Sequence, residues 1–373
     1  MRCTFGSATL SPVSESCAII GSGLAALTAK AALADAEIDA VVFGDQPDPA
    51  AAWRVRAAAI RQTHMRSESD GHCRPRTFPG LAVRDTLRKR DPWPLLLSVT
   101  DRYRPSVDAF LADVDAVRKD SAWDASFRQA RIAEIRPIAG GFLLGQSPHV
   151  PGTCRVRARY EGPFKHVLVA TGHPGLNLPP ELADDPRVVH SYEPHEYGEH
   201  VAVVGAGMAA ATEWRNASAA GAEVTSVRRR EPLRRPLNLP RHLFTKRGLA
   251  AYHRLDPWTR VSFLRELSAP SYPPGREWEV RVHVTQCVPD EVDQVICATG
   301  FVQGAQHEPL LASLPCQDGW IELSPGATVP SLTDDTRTLA VSGVHAQWAF
   351  PAADTLAGMR YVAHRFARRC RTR

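Results

Sequence analysis

Two segments of the chain share one pattern of apolar and polar positions. Each begins with a short apolar run, continues through a glycine turn and an alanine-rich stretch, and ends with a second apolar run. The segments are CAIIGSGLAALTAKAALADAEIDAVVFGD, Cys17 to Asp45, and VAVVGAGMAAATEWRNASAAGAEVTSVRRR, Val201 to Arg230. Continuous apolar runs on either side of a helical stretch indicate buried parallel strands joined by a helix. We therefore predict two β-α-β units and an α/β fold with two Rossmann-like, doubly wound sheets.

A further apolar strand follows each unit and ends in the same tripeptide, Ala-Thr-Gly. These strands lie in HVLVATGHP, His166 to Pro174, and DQVICATGF, Asp293 to Phe301. The repeat predicts that each sheet contains one such strand. We expect a discontinuous first domain of residues 1–174 and 298–373, with a second domain of residues 175–297 inserted into it.

The segments between these motifs give fewer signals. Residues 46–165 and 231–274 contain clusters of turn-forming residues and no motif that identifies a function. The periodicity predicts helices over Ser106 to Arg118, Pro257 to Leu267 and Ala353 to Arg369, and a strand over Thr338 to Ser342.

Length and composition restrict the class of protein. A chain of 373 residues corresponds to roughly two or three domains of ordinary size. The hydrophobic fraction of 44% and the charged fraction of 23% exclude collagen-like and strongly disordered proteins. No apolar run approaches the roughly 20 residues that a bilayer requires, so we expect no membrane partner. The first residues lack the apolar core of a secretory signal, which favours a cytoplasmic location.

Charge and cysteine content exclude further classes of protein. The formal net charge is +5, and only five of the 45 basic residues are lysines. We interpret the arginine excess as codon bias and expect no nucleic-acid partner. The eight cysteines form no Cys-x-x-Cys pair and show no zinc-ligand spacing, so we expect neither a dithiol redox centre nor a metal site.

The first glycine turn is typical of dinucleotide binding. Gly21 allows the tight turn, Gly23 removes the side chain where a diphosphate approaches the backbone, and Ala26 lets the helix pack closely on the strand. The free N–H groups and the dipole of the helix N-terminus favour that anion. The carboxylate for the ribose is predicted to be Asp45, because Gly44 stands where the acid is usual.

The second glycine turn repeats this arrangement with Gly205, Gly207 and Ala210. Its second strand ends in three cations instead of an acid: Arg228, Arg229 and Arg230. A carboxylate would repel a 2′-phosphate, whereas guanidinium groups pair with it. The sequence therefore predicts NADPH rather than NADH at this unit, with a solvated basic turn as the alternative.

From Cys17 to Arg369 the chain resembles flavoproteins with two dinucleotide-binding domains, and among them the class B flavin monooxygenases and their amine N-hydroxylating relatives. The run ATGHPGLNLPPELADDPRVVHSYEPHEYGEHVAVVGAGMAA, Ala170 to Ala210, contains the crossing between domains, a His-Ser pair at His190 and Ser191, and the second glycine motif. DQVICATGF resembles an N-hydroxylase signature, with Cys297 and Phe301 in place of the usual residues. GVHAQWAFPAADTLAGMR, which begins at Gly343, resembles the loop and helix that close over the flavin ring.

The resemblance implies FAD at the first unit and NADPH at the second. It adds cofactor contacts from the two tripeptides and from the start of the last helix: Ala170, Thr171, Gly172, Thr299, Gly300 and Ala353. It also suggests candidates that line the flavin: Arg61, His64, Arg66, Ser67, Trp348 and Phe350. For each of these candidates, an ordinary core or surface role is the alternative. No catalytic triad can be inferred from the spacing.

The Baeyer–Villiger fingerprint of this class is absent, because Asp184, Pro186 and Pro194 occupy three of its positions around His190. The resemblance therefore implies a monooxygenase that uses O₂ to oxygenate a small molecule, at nitrogen or sulfur in preference to a ketone. Two alternatives stay open. One is an oxidoreductase of the same fold that passes electrons to a small acceptor, or oxidises a substrate without inserting oxygen. The other is a degenerate flavin-binding protein that acts through interactions.

Overall fold

A computed structural model describes residues 16–66, 90, 92, 93, 96, 104–146, 159–235, 241–273, 275 and 278–371. The strands are β1 (Cys17–Ile20), β2 (Ala40–Gly44), β3 (Phe127–Gln129), β4 (Ile132–Ile138), β5 (Gly141–Gln146), β6 (Tyr160–Phe164), β7 (His166–Val169), β8 (Val188–His190), β9 (His200–Val204), β10 (Glu223–Val227), β11 (Leu233–Arg234), β12 (Ser271–Tyr272), β13 (His283–Thr285), β14 (Gln294–Cys297), β15 (Cys316–Gln317), β16 (Trp320–Ile321) and β17 (Thr338–Val341). The α-helices are α1 (Leu24–Ala34), α2 (Ala51–Ala59), α3 (Val107–Asp120), α4 (Trp123–Ser126), α5 (Met208–Ala219), α6 (Lys246–His253), α7 (Pro257–Leu267) and α8 (Leu356–Arg371).

The first sheet is parallel throughout and has the strand order β17-β7-β1-β2-β3. Its strands β1, β2 and β17 are buried along their whole length, as continuous apolar runs predict. Helix α1 connects β1 to β2 and packs against α8, from the C-terminal part of the chain. Distant segments therefore share one core, which includes Phe43, Phe110 and Phe366.

The second sheet is also parallel, with the order β13-β10-β9-β14-β8. Its strands all lie between Val188 and Cys297, whereas the first sheet takes its strands from both sides of that range. The prediction of an α/β fold with parallel sheets is confirmed. The domain boundaries at residues 174 and 298 stay a prediction.

The two β-α-β units form corresponding hydrogen bonds at their glycine turns. The N–H of Gly21 donates to the carbonyl oxygen of Phe43 at 2.7 Å, and the N–H of Gly205 donates to that of Val227 at 3.0 Å. Each glycine is thereby held where its own strand ends beside the next strand. The sequence repeat thus corresponds to a repeat in backbone geometry.

Most helices predicted from periodicity occur close to their predicted bounds. Helix α3 begins after Ser106, whose hydroxyl accepts from the N–H of Ala109 at 3.2 Å and caps the helix. Helix α7 has the predicted bounds, whereas α8 begins at Leu356, so Ala353 lies in the preceding turn and not in the helix. The sequence did not predict the antiparallel sheet β4-β5-β6. Within the described residues, no helix is long and apolar enough to span a membrane.

Candidate functional site

The first glycine turn combines a strained position with an open one. Gly21 has φ +124°, and a Cβ there would lie 2.2 Å from the carbonyl oxygen of Ala170, so only glycine fits. Gly23 has φ −91° and open space where a Cβ would be. It is the N-cap of α1 and supplies no capping side chain. The backbone is therefore bare at the end of the helix that favours an anion.

The second turn has nearly the same geometry. Gly205 has φ +139°, and a Cβ would lie 2.5 Å from the carbonyl oxygen of Ala298. Gly207, the N-cap of α5, has φ −97° and ψ −168°, against −91° and −172° at Gly23. Ala26 and Ala210 are fully buried in their helices, as close packing on the strand requires. Both turns therefore suit a diphosphate.

A cavity of about 530 Å³ opens in front of the first turn. Its walls come from the glycine turn, from α2, from the first Ala-Thr-Gly segment and from the loop before α8. The lining residues are Ser22, Gly23, Leu24, Ala25, Gln46, Asp48, Pro49, Ala52, Trp53, Arg56, Ala57, Ile60, Gln62, Met65, Arg66, Ala170, Thr171, Gly172, His173, Tyr192, Phe301, Gly343, Val344, Asp354 and Met359.

Three stacked rings form one wall of this cavity. The rings of His173 and Phe301 are 4.2 Å apart and inclined by 15°, and those of Phe301 and Tyr192 are 5.1 Å apart and inclined by 13°. The guanidinium of Arg56 lies 4.8 Å from the Phe301 ring centroid. His173 precedes the second sheet, Tyr192 follows its edge strand β8 and Phe301 follows β14. The stack therefore depends on the tertiary fold.

Burial strongly affects the charge state of this wall. Burial, followed by the nearby His345 and Arg56, lowers the pKa of His173 to about 4, so His173 is neutral at neutral pH. Its Nδ1 and the Thr171 hydroxyl are buried without a hydrogen-bond partner in the described protein. Such groups are unfavourable unless a ligand or water satisfies them. Together with the bare helix end, these orphaned groups fit a polar, phosphate-bearing cofactor.

His190, singled out by the resemblance, has a structural role. Its Nδ1 accepts from the N–H of Tyr192 at 3.1 Å, so Nε2 carries the proton and donates to the carbonyl oxygen of Gly300 at 3.0 Å. Burial lowers the pKa of His190, which is consistent with this neutral form. The ring thus fixes the second Ala-Thr-Gly turn beside Tyr192 of the cavity wall.

A second cavity of about 720 Å³ lies at the other glycine turn. Gly205 and Thr299 line it, and so do three predicted cations: Arg228, Arg229 and Arg230. The Arg228 side chain is 12% exposed and pairs with Glu231 at 2.9 Å, whereas that of Arg229 is 88% exposed and pairs with Glu181 at 3.3 Å. Gly207 and Gly300 do not line this cavity.

The structure places the predicted flavin-lining residues at different sites. Arg66 lines the first cavity, and His64 lines a neighbouring cleft. Arg61 instead pairs with Glu196 at 2.9 Å and lies 4.2 Å from the Tyr197 ring centroid, so it connects the segment after α2 to the loop between β8 and β9. Ser67 lies outside the described residues.

Trp348 and Phe350 are buried but do not line the first cavity. The Trp348 ring lies 4.6 Å from the Arg260 guanidinium, and Phe350 stacks on Tyr361 at 4.5 Å. Both belong to the hydrophobic core that α8 also enters. Ala353 is also buried away from the cavity, and its neighbour Asp354 lines it instead.

Asp45 is exposed and does not line the cavity, whereas the next residue, Gln46, does. A Cβ at Gly44 would lie 2.4 Å from the Cβ of Ser22, so the glycine turn itself excludes a side chain where the ribose acid is usual. Ribose contact by Asp45 stays a prediction.

The sequence analysis missed the cavity wall that α2 forms, although the spacing of its residues is visible in the sequence. Trp53, Arg56, Ala57 and Ile60 all line the cavity, and their spacing of three, four and seven residues places them on one helical face. An amphipathic reading of AAWRVRAAA would have found this face. Tyr192 could not be found in this way, because it reaches the cavity through the fold.

No family model matches the chain, and no curated protein matches it in sequence. Solved structures match over almost its whole length. L-lysine 6-monooxygenase from Pseudomonas syringae has a TM-score of 0.67 at 18% identity, with 95% of this chain and 98% of that chain covered. The FAD-bound cadaverine monooxygenase of desferrioxamine biosynthesis from Erwinia amylovora has a TM-score of 0.67 at 12% identity, with 97% and 95% covered. The chain shares its fold with flavin-dependent monooxygenases.

The same fold also occurs in a reductase. The bacillithiol disulfide reductase from Staphylococcus aureus has a TM-score of 0.57 at 15% identity, with 95% of this chain and 97% of that chain covered. The resemblance to flavin-dependent monooxygenases and related flavoproteins is therefore confirmed at the level of the fold, which accommodates both kinds of chemistry.

Proposed function

We propose that this protein is an FAD- and NADPH-dependent monooxygenase that transfers one oxygen atom of O₂ to a nucleophilic nitrogen or sulfur of a small molecule. The observation that carries this proposal is the pair of glycine turns with nearly identical backbone geometry, each facing a large cavity. Two such turns support two dinucleotides in one chain, as a flavin enzyme reduced by a nicotinamide nucleotide requires.

FAD suits the first cavity. The first turn of α1 would hold its diphosphate, and the wall of Tyr192, Phe301 and His173 offers flat surfaces for a planar ring. Bound FAD, once reduced, supplies the reaction with O₂ that the side chains of the protein do not provide. The residues of this chain bind and orient the cofactor and keep water from the reacting atoms.

NADPH suits the second cavity. The turn at Gly205 and Ala206 lines this cavity and leads into α5, whose N-terminus would hold the diphosphate. Arg228 and Arg229 lie at the end of β10, at the place that a 2′-phosphate would take. The segment Thr299 to Phe301 passes between the two sites, since Thr299 lines the second cavity and Phe301 lines the first. This continuity supports the approach of a nicotinamide to a flavin.

A reductase is the second candidate, because the bacillithiol disulfide reductase shares the fold. Disulfide reduction requires a reactive thiol close to the flavin. None of the five described cysteines lines the first cavity, and burial raises the pKa of Cys297 to about 11, which keeps it a thiol. The described residues thus favour oxygen transfer over thiol chemistry.

Turnover in ¹⁸O₂ tests the proposal. Purified protein should carry FAD, oxidise NADPH faster when an accepted amine or thioether is present, and form a product with one ¹⁸O atom. Rapid reduction of a quinone, with unlabelled products and no response to any amine or thioether, would favour the reductase. A protein that binds neither FAD nor NADPH would contradict both functions.

A further inference from the structure

A basic cleft of about 220 Å³ lies beside the FAD-type cavity. It lies between the segment after α2 and one face of α5, the helix of the second β-α-β unit. Its lining residues are Gln62, Thr63, His64, Met65, Arg66, Arg104, Met208, Thr212, Arg215, Pro273 and Trp278. Gln62, Met65 and Arg66 also line the FAD-type cavity, so the two spaces adjoin.

The charges that line this cleft all have one sign. Three guanidinium groups line it, and none of its described lining residues is acidic. Arg66 donates to the hydroxyl of Thr212 at 3.3 Å, and Arg215 contacts the amide oxygen of Asn216 at 3.4 Å and the ring of Trp278 at 4.8 Å. Neither Arg66 nor Arg215 contacts a carboxylate among the described residues. Elsewhere in the described chain, cavity arginines such as Arg228 and Arg229 have acidic partners.

Guanidinium groups that lack a carboxylate partner in a cleft focus a positive potential and favour an anion. Arginine also matches the planar geometry of a carboxylate with two parallel hydrogen bonds. The indole of Trp278 and the side chains of Met65 and Met208 add apolar surface beside the cations. This combination suits a ligand with one anionic end and an apolar body.

We propose that this cleft binds the anionic end of the substrate, a carboxylate on a chain that is apolar apart from the nitrogen or sulfur to be oxygenated, and directs the rest of the molecule toward the FAD-type cavity. The identity of the ligand as substrate rests on the proposed function. The anion site itself does not, because it is defined by Arg66 and Arg215. A competing source of the anion is the phosphate of NADPH, since Met208 and Thr212 belong to the helix proposed to bind that nucleotide.

Equilibrium titration with hexanoate and with hexanamide separates these possibilities without turnover. The two probes have similar shapes and differ in charge, and saturation-transfer NMR measures the affinity of each. Hexanoate should bind the wild type at least about tenfold more tightly than hexanamide, which corresponds to one charge-assisted contact. That preference should weaken as salt is added. Equal binding of both probes, or no binding of hexanoate, would overturn the proposal with wild-type protein alone.

Variants identify the cations that carry the preference. Arg215→Gln and Arg66→Gln should each reduce the affinity for hexanoate about tenfold and leave that for hexanamide unchanged. Arg281→Gln is the matched control, because Arg281 is exposed and lies outside the lining residues, only three positions from Trp278. An equal loss in Arg281→Gln would mean that only the net charge of the protein matters, and would contradict the site.

Saturating NADP⁺ resolves the source of the anion. If the cleft serves the substrate, NADP⁺ leaves the hexanoate affinity unchanged, and Arg215→Gln leaves the NADPH affinity unchanged. Displacement of hexanoate by NADP⁺, with weaker NADPH binding in Arg215→Gln, would assign the cations to the nucleotide and overturn the proposal. Absence of ¹⁸O transfer would contradict the proposed function alone, because these titrations do not depend on it.

Discussion

Substitution at Gly23 should separate cofactor binding from folding. Gly23 has an ordinary φ of −91°, and no atom lies within 4 Å of the place that a Cβ would take, so an aspartate is accommodated. At this N-cap, Asp accepts hydrogen bonds from the first turn of α1 that Gly leaves unmet. Replacing glycine also reduces the freedom of the unfolded chain. We therefore expect Gly23→Asp to raise the free energy of unfolding of the FAD-free protein by about 0.5–1 kcal/mol.

The same substitution should strongly weaken FAD binding. A carboxylate about 4 Å from a phosphate charge costs roughly 4 kcal/mol at an effective dielectric constant of about 20. That corresponds to about a thousandfold weaker binding. Gly23→Asn is the matched control, because it has nearly the same size and can cap the helix without the charge. It should lose distinctly less affinity than Gly23→Asp.

Gly21→Ala should behave in the opposite way. Its φ of +124° and the 2.2 Å approach to the Ala170 oxygen predict a loss of roughly 3 kcal/mol or more in the unfolding free energy of the FAD-free protein. Urea denaturation of the FAD-free forms measures stability, and quenching of flavin fluorescence measures the dissociation constant. A Gly23→Asp protein that is purified with a full complement of FAD and wild-type affinity would refute the assignment of this helix end to the diphosphate.

Three further predictions concern other parts of the molecule. Arg228→Gln and Arg229→Gln should each raise the KM for NADPH about ten- to a hundredfold and leave the KM for NADH nearly unchanged; an unaltered preference would indicate a solvated basic turn. Trp348→Ala should reduce the unfolding free energy by about 3–5 kcal/mol, because the indole is buried, and should leave the flavin absorption spectrum unchanged, because it does not line the cavity. Burial lowers the pKa of His195, but the buried carboxylate of Glu213, 3.4 Å away, and the Glu193 carbonyl more than offset this effect and raise it. The contact between protonated His195 and Glu213 therefore stabilises the folded protein below the unfolded pKa of His195, and this stabilisation is lost as pH rises through the folded pKa. The urea midpoint should fall over that pH range in the wild type and not in Glu213→Gln. Parallel pH profiles of the two proteins would contradict this prediction.

The sequence predicted the elements whose signals are local. The apolar runs and glycine turns gave β1, α1, β2, β9, α5 and β10, because each element is defined within a few residues by its periodicity. Helix α7 was placed correctly for the same reason, and in the structure Asp256 caps it and Pro257 lies in its first turn. The β4-β5-β6 sheet escaped prediction, since IAEIRPI in β4 has polar and apolar residues without strict alternation and contains a proline.

The candidate site was less accessible to sequence reasoning. Trp348 and Phe350 were predicted to face the flavin because they precede the last helix, but direction depends on packing, and Arg260 and Tyr361 hold them in the core. Conversely, Phe301 was noted only as a departure from a signature. It became part of the cavity wall because its ring stacks between His173 and Tyr192, which are distant in sequence.

The two glycine turns alone do not determine which dinucleotide each one binds. Their N-caps differ by only 6° in φ and 4° in ψ, from −91° and −172° at Gly23 to −97° and −168° at Gly207, so both offer the same bare helix end to a diphosphate. Selection must therefore come from the surrounding walls. Stacked rings and the face of α2 that carries Trp53 and Arg56 line the first cavity, whereas arginines at the end of β10 line the second. A planar, weakly charged ring is favoured by the first environment and an additional phosphate by the second, and this difference in surroundings is what assigns FAD and NADPH to their proposed sites.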